Sequence, residues 1–258
     1  MSKAAEQERG MVLAYHEIML ESNYAYCVAI QSFAEHLTLL HGLAHRAPRL
    51  RAQVTFDDGE QSQYHNARTL LNEHGISATY FVNPGLTGTE AKFLTWEQLR
   101  ELQAAGHSIQ SHGYSHKFLT TCAGEELALE IGGSRKMLED RLGAAVDAIS
   151  VPGGRWDRRV IEACAGAGYK RVFISEPWIN TEMYGIKVIG RFMVRRNTTL
   201  EELEKMVHKD PRTLWRMKMR AAVRRRVVGV VGDGLYHRVW CRLTGYNEFE
   251  AARQGRYS

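Results

Sequence analysis

The sequence predicts an α/β protein whose parallel sheet is closed, or nearly closed, into a barrel. Between position 11 and about position 200, the apolar period switches repeatedly between two and three-to-four residues. That alternation is what parallel strands require, because each must be joined to the next by a helical crossover. About seven strand-like runs follow one another in this way, with no internal repeat and no Gly/Ser/Pro-rich linker between them. An open doubly wound sheet is the runner-up. With 258 residues, 44% of them apolar, the chain can bury a large core and falls outside the disordered, collagenous and low-complexity classes.

In order, MVLAY at 11 to 15 reads as the first strand, followed by an amphipathic helix from about Ser32 to Leu43 that aligns Phe33, Leu37 and Leu40. Strand 52 to 56, helix 61 to 74 and strand 76 to 82 come next. A helix over 95 to 105 opens on Thr95 and Gln98, a capping-box pair. A strand at 107 to 111, a long helix from about Gly124 to Leu142, strand 146 to 151, helix 156 to 167, and strands 170 to 174 and 187 to 193 follow. The last barrel helix starts near Thr199, whose hydroxyl can cap it.

In such barrels the chemistry sits where strands end, and three strand ends are unusual. The first is Thr55-Phe56-Asp57-Asp58-Gly59. The Asp-Gly turn breaks strand alternation, which leaves both carboxylates free to enter one pocket and divide labour, one holding a cation and one accepting a proton. A solvated turn is the plainer alternative. The second is Ser111-His112-Gly113-Tyr114-Ser115-His116, where imidazoles at i and i+4 are expected on one side of a helical turn. Together with Asp58 they make two His and one carboxylate, a catalytic metal set with open positions; two solvent-facing histidines are the alternative. The third is Val151-Pro152-Gly153-Gly154-Arg155-Trp156-Asp157, either a strand-to-helix turn or one wall of a sugar groove.

Taken together, these motifs resemble the polysaccharide deacetylases with a NodB-homology domain, carbohydrate esterase family 4. TFDDG at 55 to 59 matches the family's first motif, and SHGYSH at 111 to 116 matches its metal-binding motif, with Gly113 where Ser or Thr is usual. HGISATYFV at 74 to 82, LTWEQLRELQAAGHSIQSH at 94 to 112 and LALEIGGSRKMLEDRLG at 127 to 143 are also similar, and VLAYHEI at 12 to 18 resembles the opening of the exopolysaccharide-type branch. The resemblance covers roughly residues 11 to 200. It implies a distorted (β/α) barrel and metal-dependent hydrolysis of N-acetyl groups on the amino sugars of an acetylated glycan. It further implies Asp57 as general base, and Asp58, His112 and His116 as ligands of a divalent metal, commonly zinc.

The chain also departs from the pattern. The family's third-motif Arg, which orients the catalytic Asp, falls at Ser150, so Arg155 or Arg191 must replace it; Arg191 resembles the Arg near the last strand of the exopolysaccharide branch. Pro152, Gly153, Gly154 and Trp178 are the substrate-binding candidates, with a core indole the alternative for Trp178. No Leu-x-His stands between 187 and 210 to protonate the leaving amine, and His208 reads as a surface residue. His16, at the end of the first strand, is the preferred acid. Without a working acid the chain would be a catalytically silent glycan-binding or scaffold module; a small-molecule amide hydrolase on the same barrel is a third reading. His107, Tyr15, Tyr80 and Phe81 read as structural.

Cys27, Cys122, Cys164 and Cys241 contain no close pair, which excludes zinc-finger spacing and a small disulfide scaffold and favours a reducing compartment. The first ten residues carry Lys3, Glu6, Glu8 and Arg9 with no apolar core behind them, and no run is long enough to span a bilayer. The expectation is a cytoplasmic protein, peripheral at the inner membrane face through its tail. Residues 205 to 242 hold eleven Lys or Arg against Asp210 and Asp233, so the basic character belongs to that segment.

The chain thus divides into a barrel over 11–208 and a basic helical extension over 209–258. Arg212, Arg216, Arg220 and Arg224 recur at four-residue spacing, joined by Arg225 and Arg226; Trp215, Met217, Met219, Val223, Val227 and Val228 form no clean opposing stripe. Contact with an anionic membrane through 212–242, with Tyr236, Trp240 and Leu243 inserting, ranks above nucleic acid, for which no module is recognisable. A solvated helix packed on the barrel is the alternative.

Overall fold

The computed structural model describes residues 11–21, 24–47, 50, 52–231 and 239, and of residues 224, 225 and 228–231 only the backbone. The main sheet contains β1 (Met11–Tyr15), β4 (Ala52–Phe56), β5 (Ala78–Val82), β6 (Ser108–Ser111), β7 (Ala148–Ser150), β8 (Arg171–Ile174), β9 (Asn180–Met183), β10 (Ile186–Gly190) and β11 (Phe192–Met193); β2 (Glu17–Met19) and β3 (Cys27–Ala29) stand apart from it. The order in the main sheet is β11-β1-β4-β5-β6-β7-β8-β10-β9, and every pairing is parallel except that of β9 with β10.

The two edges of this sheet meet through one broken strand. β10 pairs with β8 as far as Gly190 opposite Ile174, and after Arg191 the same segment, as β11, pairs with β1 through Phe192 opposite Leu13. Arg191 N–H donates to the Ile174 carbonyl at 2.8 Å, and Val194 N–H to the Ala14 carbonyl at 2.9 Å. The result is the distorted (β/α) barrel of the sequence reading. The single strand expected over 187 to 193 is two strands, because the chain changes partners at Arg191. Unforeseen were β9 and the small parallel pair of β2 with β3. Strands of three or four residues leave almost no periodic signal, and β9 is largely exposed.

Strand alternation sorts side chains into two layers. Met11, Leu13, Tyr15, Val54, Phe56, Tyr80 and Val82 point outward into the main core beneath the helices. Val12, Phe81, Ala148 and Phe173, with Ile189 against them, form a separate apolar cluster. Phe81 on β5 meets Phe173 on β8 at 5.0 Å between centroids although two strands lie between them in the sheet, so this second cluster fills the lumen. Toward the strand ends, the same parity brings Thr55 and Asp57, His112, Ser150 and Arg191 above that plug.

The helices are α1 (Ile30–Arg46), α2 (Arg68–Glu73), α3 (Trp96–Ala104), α4 (Gly124–Ala128), α5 (Ser134–Leu142), α6 (Arg158–Gly166), α7 (Leu200–Val207) and α8 (Pro211–Val231). The expected capping boxes form at Thr95 with Gln98 and at Thr199 with Glu202. Wide π turns at Gln63–Ala67 and Leu129–Gly133 interrupt the second and fourth predicted helices. Both interruptions serve the site described next, since they carry Gln63 and Glu130.

Cys27, Cys122 and Cys164 are buried, while Cys241, Tyr236, Trp240 and Leu243 lie outside the described residues. Burial pushes the Cys164 thiol up to about 12. Among the described residues no helix is long and apolar enough to cross a membrane.

Candidate active site

Asp57 follows β4 and is buried on the lumen side. Arg191 grips it with two parallel bonds, Nη1 to Oδ1 and Nη2 to Oδ2, each 2.7 Å. Arg191 also donates to Thr55 Oγ1 at 3.1 Å and Ser150 Oγ at 2.7 Å, and the Ser150 hydroxyl reaches Asp57 Oδ2 at 3.3 Å. The guanidinium rests over Phe81 at 5.2 Å, on top of the apolar plug. Burial pushes the Asp57 carboxyl up, but the charge of Arg191, then that of His112, and the Arg191 hydrogen bonds outweigh it and leave the group at about 2. Asp57 is therefore an ionised carboxylate in a dry setting. Of the two arginines the sequence offered, Arg191 reaches it; Arg155 lies over the Phe118 ring at 4.0 Å.

Asp58 has a left-handed backbone, φ 74°, which turns its side chain away from the face that alternation alone would give it. Asp58, His112 and His116 bring one ligand atom each within 4.8 Å of one another. Asp58 Oδ1 stands 3.4 Å from His112 Nε2 and 3.1 Å from His116 Nε2, yet it is buried without a hydrogen-bond partner. The reason is visible at His112. Its Nδ1 lies 2.8 Å from the Ser150 carbonyl, which can only accept, so Nδ1 carries a proton, and in the neutral ring, the form that binds a cation, Nε2 turns a lone pair toward the carboxylate. An orphaned carboxylate oxygen facing an imidazole lone pair is the donor set a divalent cation satisfies, and three protein ligands leave positions open. Asp57 Oδ2, 3.9 Å from His112 Nε2, stays outside that set on Arg191.

The histidines converge for a reason other than the one expected. Residues 112–116 are not helical; they form a loop with Gly113 at φ 77° and His116 at φ 66°. Glu130, buried on the second π turn, holds this loop by accepting the N–H groups of Tyr114 at 2.9 Å and Ser115 at 3.0 Å and the Ser115 hydroxyl. Asn83 donates to the His112 and Gly113 carbonyls. Gly113 suits this position because φ is positive and a Cβ would meet Glu130 Oε2 at 3.2 Å. Glu130→Ala would strand three donors, and is expected to cost about 3 kcal/mol and to weaken metal affinity. Thermal unfolding and a metal titration of the variant check both.

His16 is half-buried on the rim, its Nδ1 buried without a hydrogen-bond partner and its ring 5.1 Å from that of Tyr26. Burial pushes the Asp58 carboxyl up and the charge of a protonated His116 pulls it down, with a positive charge on His16 the smallest of the influences that lower it and Asp57. Gln63 donates to the carbonyls of both His16 and Asp57 and so ties the ends of β1 and β4 together. Glu60, also buried, pairs with Lys92 at 2.7 Å; burial and then the charge of Glu17 push its carboxyl well above the usual range.

Sequence reading missed Gln63, Asn83, Glu130 and the hydroxyls of Thr55 and Ser150. Asn83 and Glu130 carry no local signal, whereas Thr55 and Ser150 share the lumen parity of Asp57. Pro152 is buried near Gly113, while a Cβ on Gly153 would run into Phe118 and one on Gly154 into Ser175, so the chain's own side chains occupy those directions. Trp178 is half-buried in the loop between β8 and β9. His107 accepts the Ala78 N–H at 3.1 Å; Tyr15, Tyr80 and Phe81 are buried and His208 is exposed.

A family model described as polysaccharide deacetylase matches residues 45–172, the stretch that carries Asp57, Asp58, His112 and His116. The protein YxkH of Bacillus subtilis is 27% identical over 199 residues, 71% of this chain and 70% of that protein. A chitooligosaccharide deacetylase of Azorhizobium caulinodans is 31% identical over 121 residues, 46% of this chain and 55% of the relative, so the match spans about half of that protein. The Streptococcus pyogenes deacetylase PplD, solved in complex with acetate, has the same fold, with a TM-score of 0.68 at 24% identity over 76% of this chain and 97% of that one.

Proposed function

The chain belongs to the polysaccharide deacetylase family, and from that premise we propose that it removes N-acetyl groups from amino sugars of a polysaccharide or its lipid-linked precursor. The observation that carries this reading is the convergence of Asp58, His112 and His116 beside a fourth, buried carboxylate that is held by an arginine instead. Asp58, His112 and His116 would hold a divalent ion, and two imidazoles with one carboxylate suit zinc. Such an ion supplies Lewis acidity that polarises the amide carbonyl.

Asp57 is the general base that takes the proton of the attacking water. Arg191 is its positioning residue: the twin bonds leave the carboxylate one orientation, and the guanidinium charge keeps it ionised. Attack on the carbonyl carbon forms the new C–O bond and places negative charge on the carbonyl oxygen. Collapse breaks the C–N bond, and the departing nitrogen needs a proton. His16 donates it, standing in for the missing Leu-x-His. With Pro152 buried and Gly154 packed on Ser175, the wall on which the sugar rests falls to the exposed backbone of Gly153 and to Trp178. Support for a glycan substrate comes from the relatives named as glycan deacetylases, among them one acting on chitooligosaccharide.

The test is acetate release from N-acetylated chitooligosaccharide by the full chain. Turnover is expected with zinc, is lost on chelation and returns with the metal. In the same assay His16→Ala slows amide cleavage by about a hundredfold or more but spares an activated acetyl ester, whose leaving group needs no proton. Glycan binding without acetate release by the metal-loaded protein would overturn the proposal in favour of a silent module. Ammonia release from simple amides in its place would favour a small-molecule hydrolase.

A further inference from the structure

We propose that the outward face of α8 docks on an anionic lipid bilayer. This goes beyond the catalytic reading and uses none of its residues. α8 holds seven Lys or Arg and no Asp or Glu in 21 residues. Leu214 and Met217 turn inward and pack on the main core. At 100° per residue, the opposite arc collects Trp215, Met219, Val223 and Val227 at four-residue intervals. These four are 62%, 46%, 56% and 41% exposed. The same arc carries Arg212, Arg216, Arg220 and Arg226, all exposed, and Pro211, Arg212, Trp215 and Arg216 line a shallow hollow. The sequence alone disclosed no stripe because the inner and outer apolar rows lie on opposite sides and cancel in any periodic reading.

A helix that served only to cover the barrel would not need four large apolar side chains on its solvent side. A helix that served only as a solvated charged surface would not need them either. A bilayer interface uses both kinds: the apolar groups enter the boundary between headgroups and acyl chains, while guanidiniums stay at phosphate depth on their flexible stems. The four arginines, on a helix with no acid of its own, select negatively charged lipid, each strengthening adsorption by about fivefold. Nucleic acid would also meet the guanidiniums, but of the four apolar side chains only Trp215 offers a ring face for a base, and Met219, Val223 and Val227 offer none. α8 lies on the membrane and does not span it, since no helix among the described residues is apolar enough to cross. The barrel would thereby be held where membrane-attached glycan passes.

Co-sedimentation of the full chain with vesicles of phosphatidylcholine, and of phosphatidylcholine mixed with phosphatidylglycerol, tests this. Binding is expected to the mixed vesicles alone and to weaken with salt. It should fall at least about tenfold in Arg216→Glu/Arg220→Glu and in Trp215→Ala. Absence of binding, equal binding to neutral vesicles, or variants that bind like the parent overturns the proposal. So does tighter binding to duplex DNA or to RNA with the same dependence on Arg216. Unchanged thermal unfolding and unchanged acetate release from soluble chitooligosaccharide by these variants separate a failure here from a failure of the catalytic reading.

Discussion

Asp57→Asn is expected to lower acetate release by about a hundredfold to ten-thousandfold while metal content stays at about one ion per chain. The asparagine keeps the shape of the side chain and loses the charge that accepts the proton. The metal should remain, because Asp57 spends both carboxylate oxygens on Arg191 and the cluster of Asp58, His112 and His116 is complete without it. Metal analysis beside a turnover assay separates the roles of the two neighbouring aspartates. A variant without metal would make Asp57 a ligand, and one with full activity would remove it from the chemistry.

Arg191→Met carries the largest expected cost in stability, about 3 to 5 kcal/mol, because it leaves the Asp57 carboxylate buried without its counter-charge. The Arg191 side chain is 1% exposed and that of Asp57 3%, so bulk water does not replace the lost counter-charge. Turnover should fall as well, since nothing else orients Asp57 from two sides. The same reasoning makes Asp57→Asn destabilising in the presence of Arg191. The double variant Asp57→Asn/Arg191→Met, with both charges gone, is therefore expected to be more stable than Arg191→Met alone. Chemical denaturation of the three variants and the parent closes that cycle. Equal losses that simply add would show that the pair is not an energetic unit.

Much of this site is legible in one dimension. Thr55 and Asp57 share a face because residues two apart on a strand do so, and the apolar run before them says which strand it is. The turn at Asp58 was readable from the glycine that follows. The pairing of Asp57 with Arg191 was open, since two arginines were eligible and the bond spans 134 residues. The support for the histidine loop was hidden altogether. Glu130 sits in a stretch that reads as plain helix, and only the π turn there directs its carboxylate to the Tyr114 and Ser115 amides.

What the sequence by itself determined is the class of fold, the strand ends that bear chemistry and the residues of the metal set. The fold class and the strand ends follow from short-range rules, namely alternation along a strand and helical crossovers between parallel strands, and the metal set from the ligand chemistry of imidazole and carboxylate together with the resemblance of its two motifs to a known family. Only the tertiary structure decided which cation holds Asp57, how a loop and not a helical turn brings His112 to His116, and that α8 has two apolar rows. The first of these depends on the closing of a ring in which β10 and β11 join β8 to β1, and the others on which neighbours that ring sets beside each segment. Closure sets distances between residues far apart in the chain, and local propensity carries no information about them.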